Sequence, residues 1–352
     1  MLMSELFKPI SLNGVTLRNR VVVPPMCQYS ASEGLPADWH LVHYGSMAAG
    51  GAGAIIIEAT AVSPEGRISP YDLGLWNDAQ ADRFARIFSF IESQGAVPAV
   101  QIAHAGRKAC TDKPWLGGKP LNDWTNLLAP SAIPFDTECQ TPVAMTVAQI
   151  HEMTEKFAES AKRAVRAGAQ MIELHAAHGY LHSEFISPVS NKREDEYGGS
   201  LENRARFLME TIKAVQSAIG TSVPISVRIS ATDWLPDGQQ PEDSVKLVNM
   251  LKPFNIALID VSTGGVALAK IPAGPGFQVP FAEKIKKETG MTTSAVGLIT
   301  EAQHAESIVA EGKADIVMIG RGHLQNHQWA IHAARELGAE APIPPQYLRS
   351  YR

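Results

Sequence analysis

The chain has 352 residues, 45% of them hydrophobic and 19% charged, a balance that can bury a substantial core and does not describe a disordered segment. Lys and Arg total 31 against 36 Asp and Glu, a formal charge of −5 with no basic run, which argues against nucleic acid as a partner. The opening MLMSELFKPISL lacks the layout of a signal peptide and no apolar stretch approaches the roughly 20 residues that span a bilayer, so a cytoplasmic protein with no membrane partner is expected.

Short apolar, β-rich runs recur along the chain with helical segments between them, the pattern of parallel strands joined by crossover helices. In chain order the strands are read at 21–25, 54–59, 97–101, 171–174, 225–229, 258–262, 292–296 and 316–319. AIIIEA and IVMIG are nearly unbroken apolar runs, as expected of strands covered on both faces. Between the strands, 79–94, 147–167, 202–218, 242–252 and 301–311 carry apolar residues at helical spacing. Together these predict an α/β protein, a single (β/α)8 TIM barrel forming one domain over 1–352. The stretch 105–146 after the third strand, with clusters such as KPWLGGKPLNDW, reads as a loop excursion rather than a second domain. The Pro-rich tail 339–352 reads as a segment that docks on a neighbour. GGAGA at 50–54 precedes a strand instead of following one, so it is read as a helix-to-strand turn and not as a dinucleotide-binding loop.

Barrel enzymes build their sites on the loops that follow each strand, and those positions are rich in chemistry here. HAAHGY places His175 and His178 three residues apart at a strand end, and a helical turn would bring both rings to one side. Two such donors can polarise a carbonyl or nitro oxygen, and Tyr180 keeps its proton at neutral pH and can deliver it. The alternatives are a zinc site, which lacks a third ligand and the HExxH spacing, or two hydrogen-bonded core histidines. No metal is expected. Arg228 is a charge inside an apolar strand, which calls for an anionic partner: a reduced flavin, or a carboxylate such as Glu58 or Glu173. Gly297, Gly320 and Arg321 follow the last two strands, where barrels commonly bind phosphate. Cys27 lies just past the first strand in PPMCQY, whereas Cys110 and Cys139 lie in loops and are assigned no role. The three cysteines are too scattered for a disulfide framework or a CxxC metal site.

The motifs LRNRVVVPPMCQYSASEG (17–34), EATAVSPEGR (58–67), QIAHAGRKA (101–109), the long block HAAHGYLHSEFISPVSNKREDEYGGSLENRARF (175–207), SVRIS (226–230), AVGLIT (295–300) and IGR (319–321) resemble the Old Yellow Enzyme family essentially end to end. Cys27 and the His175/His178 pair are similar to its thermophilic-like ene-reductase branch, which includes xenobiotic reductases and NADPH dehydrogenases. The resemblance implies FMN as cofactor and NADPH or NADH as electron donor, with hydride passed to an activated alkene and protonation by Tyr180. It implies that Pro24, Pro25, Met26, Cys27, Ala59, Gln101, Lys108 and Arg228 surround the flavin ring and that Gly297, Gly320 and Arg321 hold its phosphate. His175 and His178 would bind the substrate oxygen, Tyr29 would line the pocket, and Cys27 would tune the flavin and touch substrate. Arg349 matches a residue that reaches into a partner's site, which implies a homodimer or homotetramer. Two readings stand beside this one: a flavin-free phosphate-binding barrel acting as a lyase or isomerase, and a flavin-binding protein without alkene turnover.

Overall fold

The computed structural model describes residues 4–121, 124 and 126–351. Eight parallel strands close into a barrel in sequence order: β1 (Val21–Val23), β2 (Ala54–Ala61), β3 (Val97–Ala103), β4 (Met171–Ala176), β5 (Ile225–Ser230), β6 (Leu258–Ser262), β7 (Thr293–Ala295) and β8 (Ile316–Met318). Every strand lies where the apolar runs predict it, and every strand residue is buried, because helices cover the outside and side chains fill the inside. Inside, Val22, Ala54, Ile56, Ala99, Met171, Leu258 and Met318 make the apolar floor. An N-terminal hairpin, Ile10–Leu12 with Val15–Leu17, plugs it with Leu12 and Leu17. Alternate residues such as Ile55, Ile57, Val100 and Ile172 face the helices.

Ten helices surround the barrel among the described residues: α1 (Asp38–Ala49), α2 (Asp78–Ser93), α3 (Val147–Ala167), α4 (Leu181–Ile186), α5 (Leu201–Ile219), α6 (Pro241–Leu251), α7 (Val279–Thr289), α8 (Ala302–Ala310), α9 (Arg321–Gln325) and α10 (Trp329–Glu336). The amphipathic segments read from the sequence are α2, α3, α5, α6 and α8. α3 starts at a capping box, in which the Thr146 hydroxyl accepts from the Gln149 amide and the Gln149 side chain accepts from the Thr146 amide at 2.9 Å. α1 escapes the pattern because His40, His43, Tyr44, Met47 and Ala48 are all buried, so it shows no clean polar stripe.

The excursion 105–146 contains short 3-10 turns and a two-stranded pairing of Leu128–Ala129 with Val143–Ala144. GGAGA does connect α1 to β2. The tail is seated on its own chain: the Tyr351 hydroxyl donates to Gln328 Oε1 at 2.8 Å, and Arg335 lies 5.1 Å from the Tyr351 ring centroid. No helix is long and apolar enough to cross a membrane among the described residues.

Candidate active site

The C-terminal mouth of the barrel opens into a cavity of about 410 Å³ lined by Pro24, Pro25 and Met26 from the loop after β1, Arg228 of β5, Gly297 after β7, and Gly320 and Arg321 after β8. Two glycines keep it open. Gly297 has φ +124, and a Cβ there would stand 3.1 Å from the Phe277 ring and the Gln278 amide. A Cβ on Gly320 would stand 3.3 Å from Met26 Sδ and 3.4 Å from Pro24 Cγ. Among the described residues the amides of Gly297, Gly320 and Arg321 find no backbone acceptor. Amides without backbone acceptors lining a cavity beside the Arg228 and Arg321 cations are a donor set for an anion.

Arg228 is 7% exposed, and its Nε lies 3.0 Å from Oδ2 of the fully buried Asp260. The partner is therefore neither Glu58 nor Glu173, the carboxylates the sequence offered. Arg228 and Asp260 are paired directly across β5 and β6, so the strand register makes the contact. Ser294 donates to the other Asp260 oxygen at 2.7 Å. Glu173 is held by Gln101 Nε2 at 2.9 Å and the Ser226 hydroxyl at 3.2 Å. Burial, reinforced by the Asp260 charge, pushes Glu173 up to about 8, so it carries a proton at neutral pH. Behind Arg228, which lines the cavity, the barrel interior thus holds a buried counter-ion at Asp260 and a neutral acid at Glu173.

His175 and His178 do converge, with ring centroids 5.1 Å apart and planes at 87°. The cause is not the helical turn expected. His178 adopts φ +60 and Gly179 φ +69, so a left-handed bend folds the second ring back on the first. That bend packs backbone to backbone on the 263–266 loop: a Cβ on Gly179 would lie 2.3 Å from the Gly265 carbonyl oxygen. The Ser230 hydroxyl accepts from the His178 amide at 2.8 Å and fixes the bend. The Ala177 amide donates to His175 Nδ1 at 3.2 Å, so the His175 proton sits on Nε2, which faces His178 Nδ1 at 3.4 Å. His178 Nε2 in turn contacts Ser262 Oγ at 2.6 Å, and Ser262 donates to Gln278 Oε1 at 3.2 Å. Burial, followed by the neighbouring cations, holds both rings well below the ordinary histidine range, so both are neutral. They converge with no third His, Cys, Asp or Glu placed as a metal ligand among the described residues.

Tyr180 stacks edge-on against His175 at 4.9 Å, and Lys108 Nζ lies 5.0 Å from its ring centroid. Burial raises the Tyr180 phenol well above its ordinary value, so it retains its proton. Lys108 donates to the carbonyls of His178 and Gly265 at 2.8 and 2.9 Å, locking the same bend, and burial lowers it to about 8. Cys27 and Tyr180 both pack against a small buried cluster that includes Ala59, Ile68 and Ala103. Burial and the acidic groups Asp72 and Glu58 keep it a thiol. A second cavity of about 260 Å³ opens beyond Tyr29, Lys108 and Tyr180 and is walled by the 105–140 excursion, including Cys110 and Cys139. Trp115 of that excursion meets the Tyr29 ring edge at 5.9 Å, and Trp124 donates to the Glu65 carbonyl at 2.8 Å.

The fold thus brings Pro24, Pro25, Met26, Arg228, Gly297, Gly320 and Arg321 to one cavity, and Tyr29, Lys108 and Tyr180 to the next. Gln101 lies beneath, bonded to Glu173. Arg349 stands apart on an exposed C-terminal turn and lines neither of these two cavities. Asp260, Ser262, Gln278 and Gly265 were missed, since each acquires its role from a strand or loop remote in sequence.

Comparison with known proteins places the chain in a family. Residues 5–340 match the model of the NADH:flavin oxidoreductase / NADH oxidase family. The chain is 46% identical over 349 residues to an NADPH dehydrogenase of Geobacillus thermodenitrificans, covering 99% of this chain and 98% of the relative. It is 46% identical over 352 residues to an NADPH dehydrogenase of Listeria innocua, covering 99% and 100%. Among solved structures, morphinone reductase in complex with tetrahydroNAD superposes with a TM-score of 0.79 at 28% identity, covering 96% of this chain and 91% of that one.

Proposed function

Because the chain belongs to the NADH:flavin oxidoreductase / NADH oxidase family, we propose that it is an FMN-dependent oxidoreductase that draws electrons from NADPH or NADH and reduces the C=C bond of α,β-unsaturated carbonyl, imide or nitro compounds. The residues present fit the cofactor: the acceptor-less amides of Gly297, Gly320 and Arg321 suit its phosphate, and the Arg228 cation suits the anionic edge of its ring. Bound there, FMN would supply the redox chemistry, the transfer of two electrons between the nicotinamide and the alkene.

The protein's own part is to bind, orient and protonate. His175 Nε2–H offers a donor to the substrate's electron-withdrawing oxygen, and His178 completes the pair when its ring takes the other tautomer. Neutral rings suit this work, because a donor that remains uncharged stabilises developing negative charge without giving its proton away. Tyr180 bears a firmly held proton beside them and supplies it to the α-carbon. The observation that carries the reading is this convergence, the His175 ring 5.1 Å from His178 and 4.9 Å from Tyr180, at the strand position paired with Arg228.

The test is anaerobic. Purified protein should show flavin absorbance that bleaches on mixing with NADPH or NADH and returns when cyclohexenone is added. Bleaching without return would favour a flavoprotein with no alkene turnover, and protein that neither releases FMN nor takes it up would end the proposal.

A further inference from the structure

Glu58 is fully buried within β2, and the chemistry above does not use it. The pleat sends Ile55 and Ile57 to the helix layer, which would turn Glu58 inward. A register shift against β3 between Ile57 and Thr60 interrupts that alternation. Glu58 meets α1 instead: the Tyr44 hydroxyl donates to its Oε2, and the Glu58 amide donates to the Tyr44 oxygen at 3.1 Å. Its Oε1 accepts from the Gln28 amide at 3.1 Å. One carboxyl therefore ties α1 to the loop that leaves β1. The same loop is braced by Gln28 Nε2 on the Met26 carbonyl at 2.7 Å and by Trp39 Nε1 on Gln28 Oε1 at 3.2 Å. It places Met26 in the first cavity and Tyr29, at φ +49, in the second, with Cys27 between them.

We propose that Glu58 is a positioning residue for this loop: through the Gln28 amide it sets where the Cys27 thiol stands at the barrel mouth, and its charge is transmitted to that thiol. The other titratable groups around it are few. His40 Nε2 lies 3.9 Å from Oε1, and burial keeps His40 and His43 neutral by lowering both to about 4. Asp72 acts on Glu58 and on Cys27 in the same direction, raising both. Burial pushes Glu58 up to about 8, so it is largely uncharged at neutral pH and gains a negative charge as the solution turns alkaline. Burial and Asp72 already oppose formation of the Cys27 thiolate, and the Glu58 charge adds to them, so the thiol is kept protonated through the range where an exposed cysteine would ionise. The inference rests on the proposed function only for the importance of Cys27, and its test reads the thiol directly, with or without flavin.

The experiment uses a C110S/C139S background, which leaves Cys27 as the one cysteine. Iodoacetamide alkylation of the purified protein is followed by intact mass between pH 7 and 10.5. Glu58→Gln keeps an acceptor for the Gln28 amide but removes the charge, and should shift the pH–rate profile down by about one unit, giving roughly tenfold faster alkylation at pH 9. Glu58→Ala also frees the Gln28 amide and should raise the rate at pH 7 as well. Tyr44→Phe removes a hydrogen bond that favours the Glu58 carboxylate, so it should give a smaller shift in the same direction, and it stands in if the Gln variant does not fold. Profiles that superimpose on the parent, with or without a lowered melting temperature, would make Glu58 merely structural and overturn the proposal.

Discussion

Replacing Arg228 by Met separates the two roles that the structure gives this cation. Asp260 is completely buried and, among the described residues, has only the Ser294 hydroxyl at 2.7 Å besides the guanidinium. At an effective dielectric of about 20, unit charges separated by the 3.0 Å observed attract by roughly 5 kcal/mol, and stripping one member from a buried pair typically costs about 3–5 kcal/mol. Arg228→Met should therefore lower unfolding free energy by about 3–5 kcal/mol in equilibrium urea denaturation at pH 7. Adding Asp260→Asn removes the orphaned charge while keeping an acceptor for Ser294, and the double variant should recover to within about 1 kcal/mol of wild type. FMN affinity should fail to recover, because the cation facing the cavity is missing in both variants. A double variant as unstable as the single one would refute the ion-pair account of stability. Recovery of FMN binding by Asp260→Asn would refute a direct role for Arg228 toward the cofactor.

Tyr180→Phe should slow flavin reoxidation by an enone, by about 10²–10⁴-fold for loss of a positioned acid, while leaving reduction by NADPH nearly unchanged in stopped flow; equal slowing of both halves would remove Tyr180 from proton delivery. His175→Ala with His178→Ala should abolish the long-wavelength band formed with a phenol ligand, and an unaltered titration would place the pair outside the ligand's reach. Stability should peak near pH 6. Glu58, Glu173 and Glu184 are raised by burial to about 8, so the folded chain keeps protons that the unfolded chain releases near ~4.5, and stability falls as pH climbs from about 4.5 to 8. His40, His43, His104 and His323 are lowered to about 4, so their contribution is lost as pH drops below about 6.5. A melting temperature that rises steadily through pH 8.5 would contradict those buried neutral acids.

What could be read from the sequence, and what could not, follows from how far each feature depends on closure of the barrel. Strands such as AIIIEA announce themselves because two covered faces demand apolar residues at every position, and helices such as 147–167 because one covered face demands a stripe. α1 defeats the stripe by burying histidines and a tyrosine. Among the site residues, His175, His178, Tyr180 and Arg228 are legible because each puts costly chemistry at a strand end, where only function or a partner justifies it. The reasons for their placement are not legible. His178 turns toward His175 because of a left-handed bend braced by Ser230, Lys108 and the Gly265 backbone, and none of these is within 50 residues of it except through the fold. Arg228 chooses Asp260 over Glu58 or Glu173 because register sets it opposite Asp260, while Gln101 and Ser226 occupy Glu173 and a bulge turns Glu58 to α1. Three acidic residues of similar character in sequence thus take three different roles, counter-ion, neutral acid and loop anchor, and only the geometry of the closed sheet distinguishes them. A charge-reversing or amide substitution at each should accordingly report on a different property: stability at Asp260, the hold on Gln101 and Ser226 at Glu173, and the Cys27 thiol at Glu58.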